Sequence, residues 1–190
     1  ENRENEADLI QAAQLATAES IGFIVRYTSG VICVPMPGAD LNRLNLPPMT
    51  LFNEDVKQTA FTVSVDASEG ISTGISAADR AKTIHVLADP KSSSQDLRRP
   101  GHIFPLRAVE GGVLRRAGHT EAAVDLAEMS KLRPIGVLCE LVHDDGSMMR
   151  ADAARDFADK HGLLMISIAD LISYRRANET HVELISRANL

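Results

Sequence analysis

Apolar and polar positions along the chain predict strands interleaved with helices. Thr17 precedes an apolar stripe at helical spacing, and Ser76 opens a capping box, so each is a predicted helix N-cap. The short apolar runs at 31–34 and 135–141 are typical of buried strands. The elements do not repeat as clean strand–helix–strand units. The pattern therefore predicts a single domain in which a mixed sheet carries helices on its faces.

The remaining segments give more local expectations. The polar stretch 91–101 predicts a loop, whose length is unusual in a compact domain and typical of a functional lid. The segment 9–16 fits either a strand edge or a helix. Further strands are predicted over 60–65, 103–106 and 163–168. Further helices are predicted from Glu121 to about Lys131, from a cap at Asp152 to Gly162, and from Asp170 onward.

Composition narrows the class of protein. The 190 residues include 20 Lys and Arg against 26 Asp and Glu, a net charge of −6, and only 4% are aromatic. An acidic chain with few aromatic rings argues against a nucleic-acid module, and no apolar stretch approaches the ~18 residues that span a bilayer. Cys33 and Cys139 form no Cys-x-x-Cys pair, which is typical of a reducing compartment. We therefore expect a cytoplasmic protein that binds neither nucleic acid nor membrane.

The segment 115–121 is a candidate anion site. Arg115 and Arg116 precede Gly118, where the chain can turn tightly into a helix whose first N–H groups lack partners. Arginines beside a helix N-terminus suit a phosphate group, and His119 is a candidate metal ligand at the same place. The alternative is an ordinary helix cap with solvated arginines.

Two further residues have features of acid–base groups. His102 follows a Pro-Gly pair at the end of the polar stretch, which suits proton transfer but also resembles a surface turn. Glu140 ends an otherwise apolar strand, where a carboxylate is costly to bury unless it is paired or catalytic. Glu140 is the leading catalytic candidate from pattern alone.

Acidic residues alternate at the start of the chain. In an extended segment Glu4, Glu6 and Asp8 would project to one side, and such carboxylates suit Mg²⁺ or Mn²⁺ better than zinc. A solvated chain end would have the same composition. The chain carries neither Gly-x-Gly-x-x-Gly nor a P-loop lysine, so a nucleotide site has no support.

Six short motifs, taken together and in order, resemble the 3,4-dihydroxy-2-butanone 4-phosphate synthase family. The resemblance runs from about residue 3 to residue 176. The motifs are Arg3-Glu4-Asn5-Glu6, Tyr27-Thr28-Ser29-Gly30, Thr73-Gly74-Ile75-Ser76-Ala77-Ala78-Asp79-Arg80, Arg99-Pro100-Gly101-His102, Gly118-His119-Thr120-Glu121 and Cys139-Glu140-Leu141.

The resemblance implies a lyase of riboflavin biosynthesis that uses Mg²⁺ or Mn²⁺. Such an enzyme converts D-ribulose 5-phosphate to 3,4-dihydroxy-2-butanone 4-phosphate and formate, as a homodimer with an α+β fold whose mixed sheet lies between helical layers. The implied site residues are Glu4 and His119 for the metal, Arg3, Asp8, Arg116, Ala117, Gly118, His119, Thr120 and Glu140 for the substrate, and His102 and Glu140 for catalysis.

The chain also departs from the family pattern. It begins inside the first motif, without the upstream helix and strand, and Ala7 replaces a glycine; if that position needed a positive φ, the cost would be ~1 kcal/mol. We take residues 1–176 as the synthase domain. Residues 177–190 resemble the connector to a GTP cyclohydrolase II domain, or form a terminal helix. The alternative functions are a catalytically silent sugar-phosphate-binding or dimerisation module and a sugar-phosphate isomerase.

Overall fold

The computed structural model describes residues 6–179 of the chain. Within that range one five-stranded sheet is accompanied by six α-helices. The strands are β1 (Asp8–Ala12), β2 (Cys33–Met36), β3 (Val65–Ala67), β4 (Leu97–Arg107) and β5 (Gly136–Glu140). The helices are α1 (Ala18–Tyr27), α2 (Gly38–Arg43), α3 (Ala77–Ala88), α4 (His119–Met129), α5 (Ala151–His161) and α6 (Ile168–Asn178).

The sheet is mixed, as the sequence predicts. Its order is β1-β5-β2-β4-β3, and β2 with β4 is the parallel pair within the described part of the chain. Cys33 on β2 lies opposite Phe104 on β4 and Leu138 on β5. Because β5 runs against β2 and β4, its C-terminal end lies at the same end of the sheet as the first half of β4. This brings Glu140 and His102 to one end.

The two faces of the sheet are covered unequally. On one face, Val34, Ile103 and Val137 pack in a continuous aliphatic core with side chains of α1, α2 and α3. Fully burying each such side chain contributes about 1.5–3 kcal/mol. The other face carries Cys33, Leu106 and Leu138 against Ala123 of α4, and α6 packs outside α4. The sheet thus lies between helical layers, which confirms the expected α+β architecture.

Several local predictions are confirmed. The hydroxyl of Thr17 accepts the N–H of Ser20 at the start of α1, and Ser76 caps α3 in the same way. Gly162 ends α5 with φ +66°, and β5 lies within the predicted strand 135–141. The ambiguous segment 9–16 is resolved as the edge strand β1 followed by a short 3-10 turn.

Other strand predictions are wrong. Residues 60–64 are extended but form only isolated bridges, because Pro105 on the facing β4 has no N–H to donate to a ladder. The true strand β3 starts at Val65. Residues 163–167 are not a strand: no strand within residues 6–179 pairs with them, and Leu164 is 100% exposed.

The predicted loop 91–101 and the predicted cap at Asp152 also need correction. The second half of that stretch, from Leu97 onward, belongs to β4, where it pairs with β3 on one side only and so tolerates polar residues. Arg150 is the N-cap of α5, and Asp152 lies in its first turn. None of the helices described within residues 6–179 is long and apolar enough to cross a membrane.

Candidate active site

A cleft of about 250 Å³ opens where β1, β5 and the N-terminus of α4 meet. Its floor is apolar and its walls carry carboxylates, an imidazole and a guanidinium. The lining residues are Glu6, Asp8, Cys33, Asp55, Thr59, Phe61, Leu106, Arg116, Gly118, His119, Thr120, Leu138 and Glu140. Six of the residues implied by the family resemblance are therefore gathered in one place.

Asp8 is the most buried carboxylate of the cleft wall. It lies directly opposite Glu140 in the β1–β5 ladder, so both side chains project from the same face. Its side chain is only 3% exposed, and Oδ2 lies 3.3 Å from Nδ1 of His119. Oδ1 is buried and accepts no hydrogen bond within the described part of the chain. Since an unpaired buried carboxylate oxygen is costly, this atom points to a missing donor or cation.

Glu140 is held by the Ser29 turn that follows α1. The hydroxyl of Ser29 donates to Oε2 of Glu140 at 2.8 Å, and the Ser29 N–H donates to the Glu140 carbonyl at 2.8 Å. Under this turn, Arg80 is 6% exposed and donates to the carbonyl of Gly30 at 3.4 Å. Burial lowers the pKa of Arg80. Within residues 6–179 the carboxylate of Glu140 is therefore oriented by the Ser29 hydroxyl.

Cys33 forms part of the cleft floor. Its side chain is 2% exposed, and burial, followed by the nearby Glu140 carboxylate, raises the pKa of the thiol. A thiol of this kind stays neutral and acts as a small apolar group, as the sequence suggests.

Arg116 and Gly118 lie at the start of α4, as the sequence predicts. Gly118 is the N-cap residue of α4, and Arg116 donates to Oε2 of Glu121 at 2.7 Å and to the carbonyl of Lys57 at 3.0 Å. A Cβ on Gly118 would lie 2.3 Å from Nη1 of Arg116 and 2.9 Å from Oε2 of Glu121, so a larger residue would displace this ion pair. The solvated-arginine alternative fails for Arg116, whose side chain is 18% exposed, but it fits the exposed Arg115.

His102 lies beside the cleft rather than in its lining. It is on strand β4, so the alternative interpretation as a surface turn does not hold, and its Nδ1 is 2.7 Å from Oδ2 of Asp66. His102 and Glu140 each lie two residues from the row that joins Phe104, Cys33 and Leu138. They therefore share one face and one end of the sheet, with two strand spacings, about 10 Å, between their Cα atoms.

The remaining implied residues are placed less fully. Ala117 is half-buried between Arg116 and Gly118, and Thr120 is 6% exposed in the first turn of α4. Arg3 and Glu4 lie outside the described residues. Ala7 does not have a positive φ, so the backbone strain expected from its replacement of glycine does not arise.

The donor chemistry of the cleft fits a hard divalent cation. Glu6, Asp8 and Glu140 supply carboxylate oxygens beside the imidazole of His119, and Oδ1 of Asp8 is buried without a partner. Residues 6–179 contain no preformed group of three His, Cys, Asp or Glu side chains that could hold a metal ion. The cleft therefore suits Mg²⁺ or Mn²⁺ in donor type.

Two polar partners in the site were missed by sequence reasoning. Asp66 contacts His102, and Ser29 contacts Glu140. Asp66 follows the apolar residues Val63 and Val65. That pattern, a carboxylate at the end of an apolar segment, is the signal that singled out Glu140. Applied evenly along the chain, it would have found Asp66 as well.

Comparison with known proteins identifies relatives of the whole chain. The sequence model described as 3,4-dihydroxy-2-butanone 4-phosphate synthase matches residues 1–174. The riboflavin biosynthesis protein RibBA of Rhodococcus jostii is 62% identical over 192 residues, which cover 100% of this chain and 46% of that protein. RibBA of Salinispora arenicola is 60% identical over 189 residues, with 100% and 45% covered. The chain thus spans about half the length of the curated relatives it matches.

Solved structures agree with the observed fold. A 3,4-dihydroxy-2-butanone 4-phosphate synthase in complex with two magnesium ions superposes with a TM-score of 0.89 at 44% identity, covering 93% of this chain and 87% of that one. RibBX from A. baumannii, described as a two-domain 3,4-dihydroxy-2-butanone 4-phosphate synthase, gives a TM-score of 0.92 at 43% identity, with 100% and 56% covered. At these identities the likeness extends beyond the fold.

Proposed function

This chain belongs to the 3,4-dihydroxy-2-butanone 4-phosphate synthase family, and from that premise we propose that it converts D-ribulose 5-phosphate to 3,4-dihydroxy-2-butanone 4-phosphate and formate. One observation carries the proposal for this chain. The Asp8 and Glu140 carboxylates, the His119 imidazole and the N-terminus of α4 beside Arg116 all face one cleft. A sugar phosphate needs both an anion site and acid–base groups, and this cleft supplies both.

The phosphate group would bind at the start of α4. Arg116 is already paired with the fully buried Glu121, so the two side chains carry no net charge together. The Arg116 side chain and the first residues of α4 nevertheless line the cleft, so the positive end of the helix adjoins it. A phosphate would therefore be held by directed hydrogen bonds as much as by charge.

The metal ion would be held by His119 and, as the family resemblance implies, by Glu4. When bound, Mg²⁺ or Mn²⁺ would polarise the substrate's carbonyl and hydroxyl oxygens and stabilise negative charge that develops on them. Asp8 supports this role of His119, because its Oδ2 lies 3.3 Å from Nδ1 of the imidazole and orients the ring.

Glu140 and His102 would move protons. Glu140 projects into the cleft with one oxygen held by Ser29, which leaves Oε1 to accept a proton from a sugar carbon. His102 is 39% exposed at its side chain and would serve a substrate hydroxyl. Because the two residues share one end of the sheet, both can reach a five-carbon sugar bound between them.

Carbon NMR of ¹³C-labelled D-ribulose 5-phosphate tests the proposal directly. We expect formate and a four-carbon phosphate to appear with Mg²⁺ and to vanish with EDTA. An isomerised pentose phosphate without formate would indicate the isomerase instead. Binding of the sugar phosphate without turnover would indicate a catalytically silent module.

We also infer the assembly in which this domain works. The relatives are about twice as long as this chain, which supports a connector at 177–190 followed by a GTP cyclohydrolase II domain. The half-buried apolar residues Phe61 and Phe104 lie on the less covered face of the sheet and support a homodimer. The proposed compartment is the cytoplasm. Light scattering of the purified protein tests the dimer.

A further inference from the structure

One motif of the sequence, Thr73-Gly74-Ile75-Ser76-Ala77-Ala78-Asp79-Arg80, contributes no lining residue to the cleft. We propose that Asp66 is the positioning residue of His102, and that the loop 72–79 holds the Asp66–His102 pair in place. The expected effect on kcat rests on the proposed function. The contacts between Asp66, His102 and the loop 72–79 do not depend on that function.

Asp66 contacts His102 through both carboxylate oxygens. Oδ1 accepts the backbone N–H of His102 at 3.0 Å, and Oδ2 lies 2.7 Å from Nδ1 of its ring. The side chain of Asp66 is 10% exposed, so water competes poorly for these bonds. A two-point contact of this kind fixes both the backbone and the ring plane of His102.

This contact also selects the tautomer of His102. An ionised carboxylate can only accept hydrogen bonds, so Nδ1 carries the proton and faces Asp66. No residue within 6–179 hydrogen-bonds Nε2 of His102, which leaves that nitrogen as a proton acceptor for the substrate. A carboxylate that orients a histidine in this way acts through it and never touches the substrate.

Gly74 closes the space around the pair. Its φ is +93°, and a Cβ there would lie 2.2 Å from Oδ2 of Asp66 and 2.7 Å from Nδ1 of His102. No other residue could bring its backbone this close. Gly101, next to His102, lets β4 approach the backbone of β3, since a Cβ there would lie 1.9 Å from the carbonyl carbon of Val65 and 2.2 Å from the backbone nitrogen of Asp66.

Asp79 keeps Gly74 in position. Its carboxylate accepts the N–H of Ser72 at 3.2 Å, the hydroxyl of Ser72 at 2.7 Å and the N–H of Gly74 at 3.1 Å. These hydrogen bonds, led by the Ser72 hydroxyl, lower the pKa of Asp79. The loop is thereby fastened to the first turn of α3, which Ser76 caps.

The same helix holds the strand that carries Asp66. The hydroxyl of Thr83 accepts the N–H of Ala67 at 2.9 Å and donates to the Asp79 carbonyl at 3.1 Å. Helix α3 therefore holds both the strand that carries Asp66 and the loop that carries Gly74. This arrangement accounts for the motif without giving it any contact with substrate.

The test is Asp66→Asn, measured in the full chain by kinetics and by ¹⁵N NMR of histidine. We expect kcat to fall by about 100-fold or more with KM for D-ribulose 5-phosphate unchanged, because the amide can donate to Nδ1 and reverse the tautomer. The His102 ring should shift from the Nδ1–H form to the Nε2–H form. In a His102→Gln background the same substitution should have no further effect on kcat, since Asp66 acts only through His102.

Asp40→Asn is the matched control. Asp40 also accepts two N–H bonds, from Arg43 and Arg133, and its side chain is 13% exposed, but no contact with His102 is formed. This variant should lower the free energy of unfolding while kcat and the His102 tautomer stay as in the wild type.

Three results would overturn the proposal. They are unchanged kcat in a folded Asp66→Asn protein, an equal loss of kcat in the His102→Gln background, and a wild-type His102 ring in the Nε2–H form. The last measurement needs no variant, so it decides the matter even if Asp66→Asn does not fold. It also needs no turnover, so failure of the proposed lyase activity would leave it informative.

Discussion

The site has two halves that differ in how completely their polar groups are paired. In the cleft half, around Asp8, His119 and Glu140, a buried carboxylate oxygen lacks a partner and no three-ligand metal group is preformed within residues 6–179. In the His102 half, Asp66 contacts His102 through both oxygens and Gly74 closes the space above the pair. In our proposal the first half receives a cation and a phosphate. In the second half the Asp66–His102 contact is formed without ligand, and Nε2 of His102 is the nitrogen left for the substrate.

This difference predicts which substitutions act on binding and which act on geometry alone. Groups of the cleft half gain their full set of partners only with ligand present, so their loss should alter binding or the chemical step. Asp66 and Gly74, which support His102, already have their contacts, so their loss should alter orientation and stability without changing affinity for substrate. The following four predictions are ordered from the largest expected effect to the smallest.

Glu140→Gln should have the largest effect. The amide cannot take up a proton, so we expect kcat for formate release to fall by about 100- to 10,000-fold, a rise of about 3–5 kcal/mol in the barrier. Ser29 can still donate to the remaining amide oxygen, so the fold should persist. Glu128→Gln, on the exposed end of α4, is the control and should leave kcat unchanged. Near-normal turnover in folded Glu140→Gln would remove Glu140 from the chemistry.

Arg116→Met should affect both stability and binding. Its loss leaves Oε2 of the fully buried Glu121 without its charged partner, which should lower the free energy of unfolding by about 3 kcal/mol. KM for D-ribulose 5-phosphate should rise as well, because a phosphate donor is lost. Urea unfolding and steady-state kinetics measure the two effects separately.

The double variant Arg116→Met/Glu121→Gln separates these causes. A neutral amide buried at position 121 costs less than an unpaired carboxylate, so part of the stability should return. The raised KM should not recover. Recovery of KM together with stability would mean that Arg116 serves only the fold.

These expectations bear on how much of the site the sequence could predict. Placements that follow from local pattern were predicted correctly: Gly118 lies at a helix N-terminus beside Arg116, and Glu140 ends an apolar strand. The distance between His102 and the cleft could not be found in this way. It depends on the strand order that places β2 between β5 and β4.

The errors in the fold have related causes. The sequence pattern of residues 60–65 describes extended chain correctly, but pairing depends on the facing strand, where Pro105 interrupts the ladder. The polar start of β4 was predicted as a loop because it lacks apolar alternation. A segment that pairs with a neighbouring strand on one side only does not need that alternation. Local pattern therefore predicts conformation better than it predicts partners.

Gly74→Ala tests the His102 half with a close control. The new Cβ would lie 2.2 Å from Oδ2 of Asp66, at φ +93°, so the pair must separate. We expect unfolding to become easier by about 2 kcal/mol and kcat to fall roughly tenfold or more, with KM unchanged. Gly70→Ala carries a similar φ of +74°, but its nearest neighbour is the flexible Cε of Lys82 at 3.3 Å.

Gly70→Ala should therefore show the conformational cost alone, about 1 kcal/mol of stability, with kcat intact. Circular dichroism melts and formate assays on both variants give the comparison. Equal kcat in the two variants would mean that the 72–79 loop does not hold the Asp66–His102 pair.

Stabilisation of the folded protein by Mg²⁺ is the smallest expected effect, and it tests the cleft half most directly. A cation that binds only the folded protein stabilises it by about 1.4 kcal/mol at ten times its Kd, and a melting experiment at increasing Mg²⁺ measures this without substrate. Asp8→Asn removes the buried carboxylate whose Oδ1 lacks a partner, so most of the Mg²⁺-dependent shift should disappear. Asp66→Asn should keep the full shift, because the His102 half holds no cation. The contrary result is that Mg²⁺ raises the melting temperature of the wild type and of Asp8→Asn equally. Oδ1 of Asp8 would then be a hydrogen-bond acceptor for water or substrate rather than part of a cation site, and the two halves would differ only in binding the sugar phosphate.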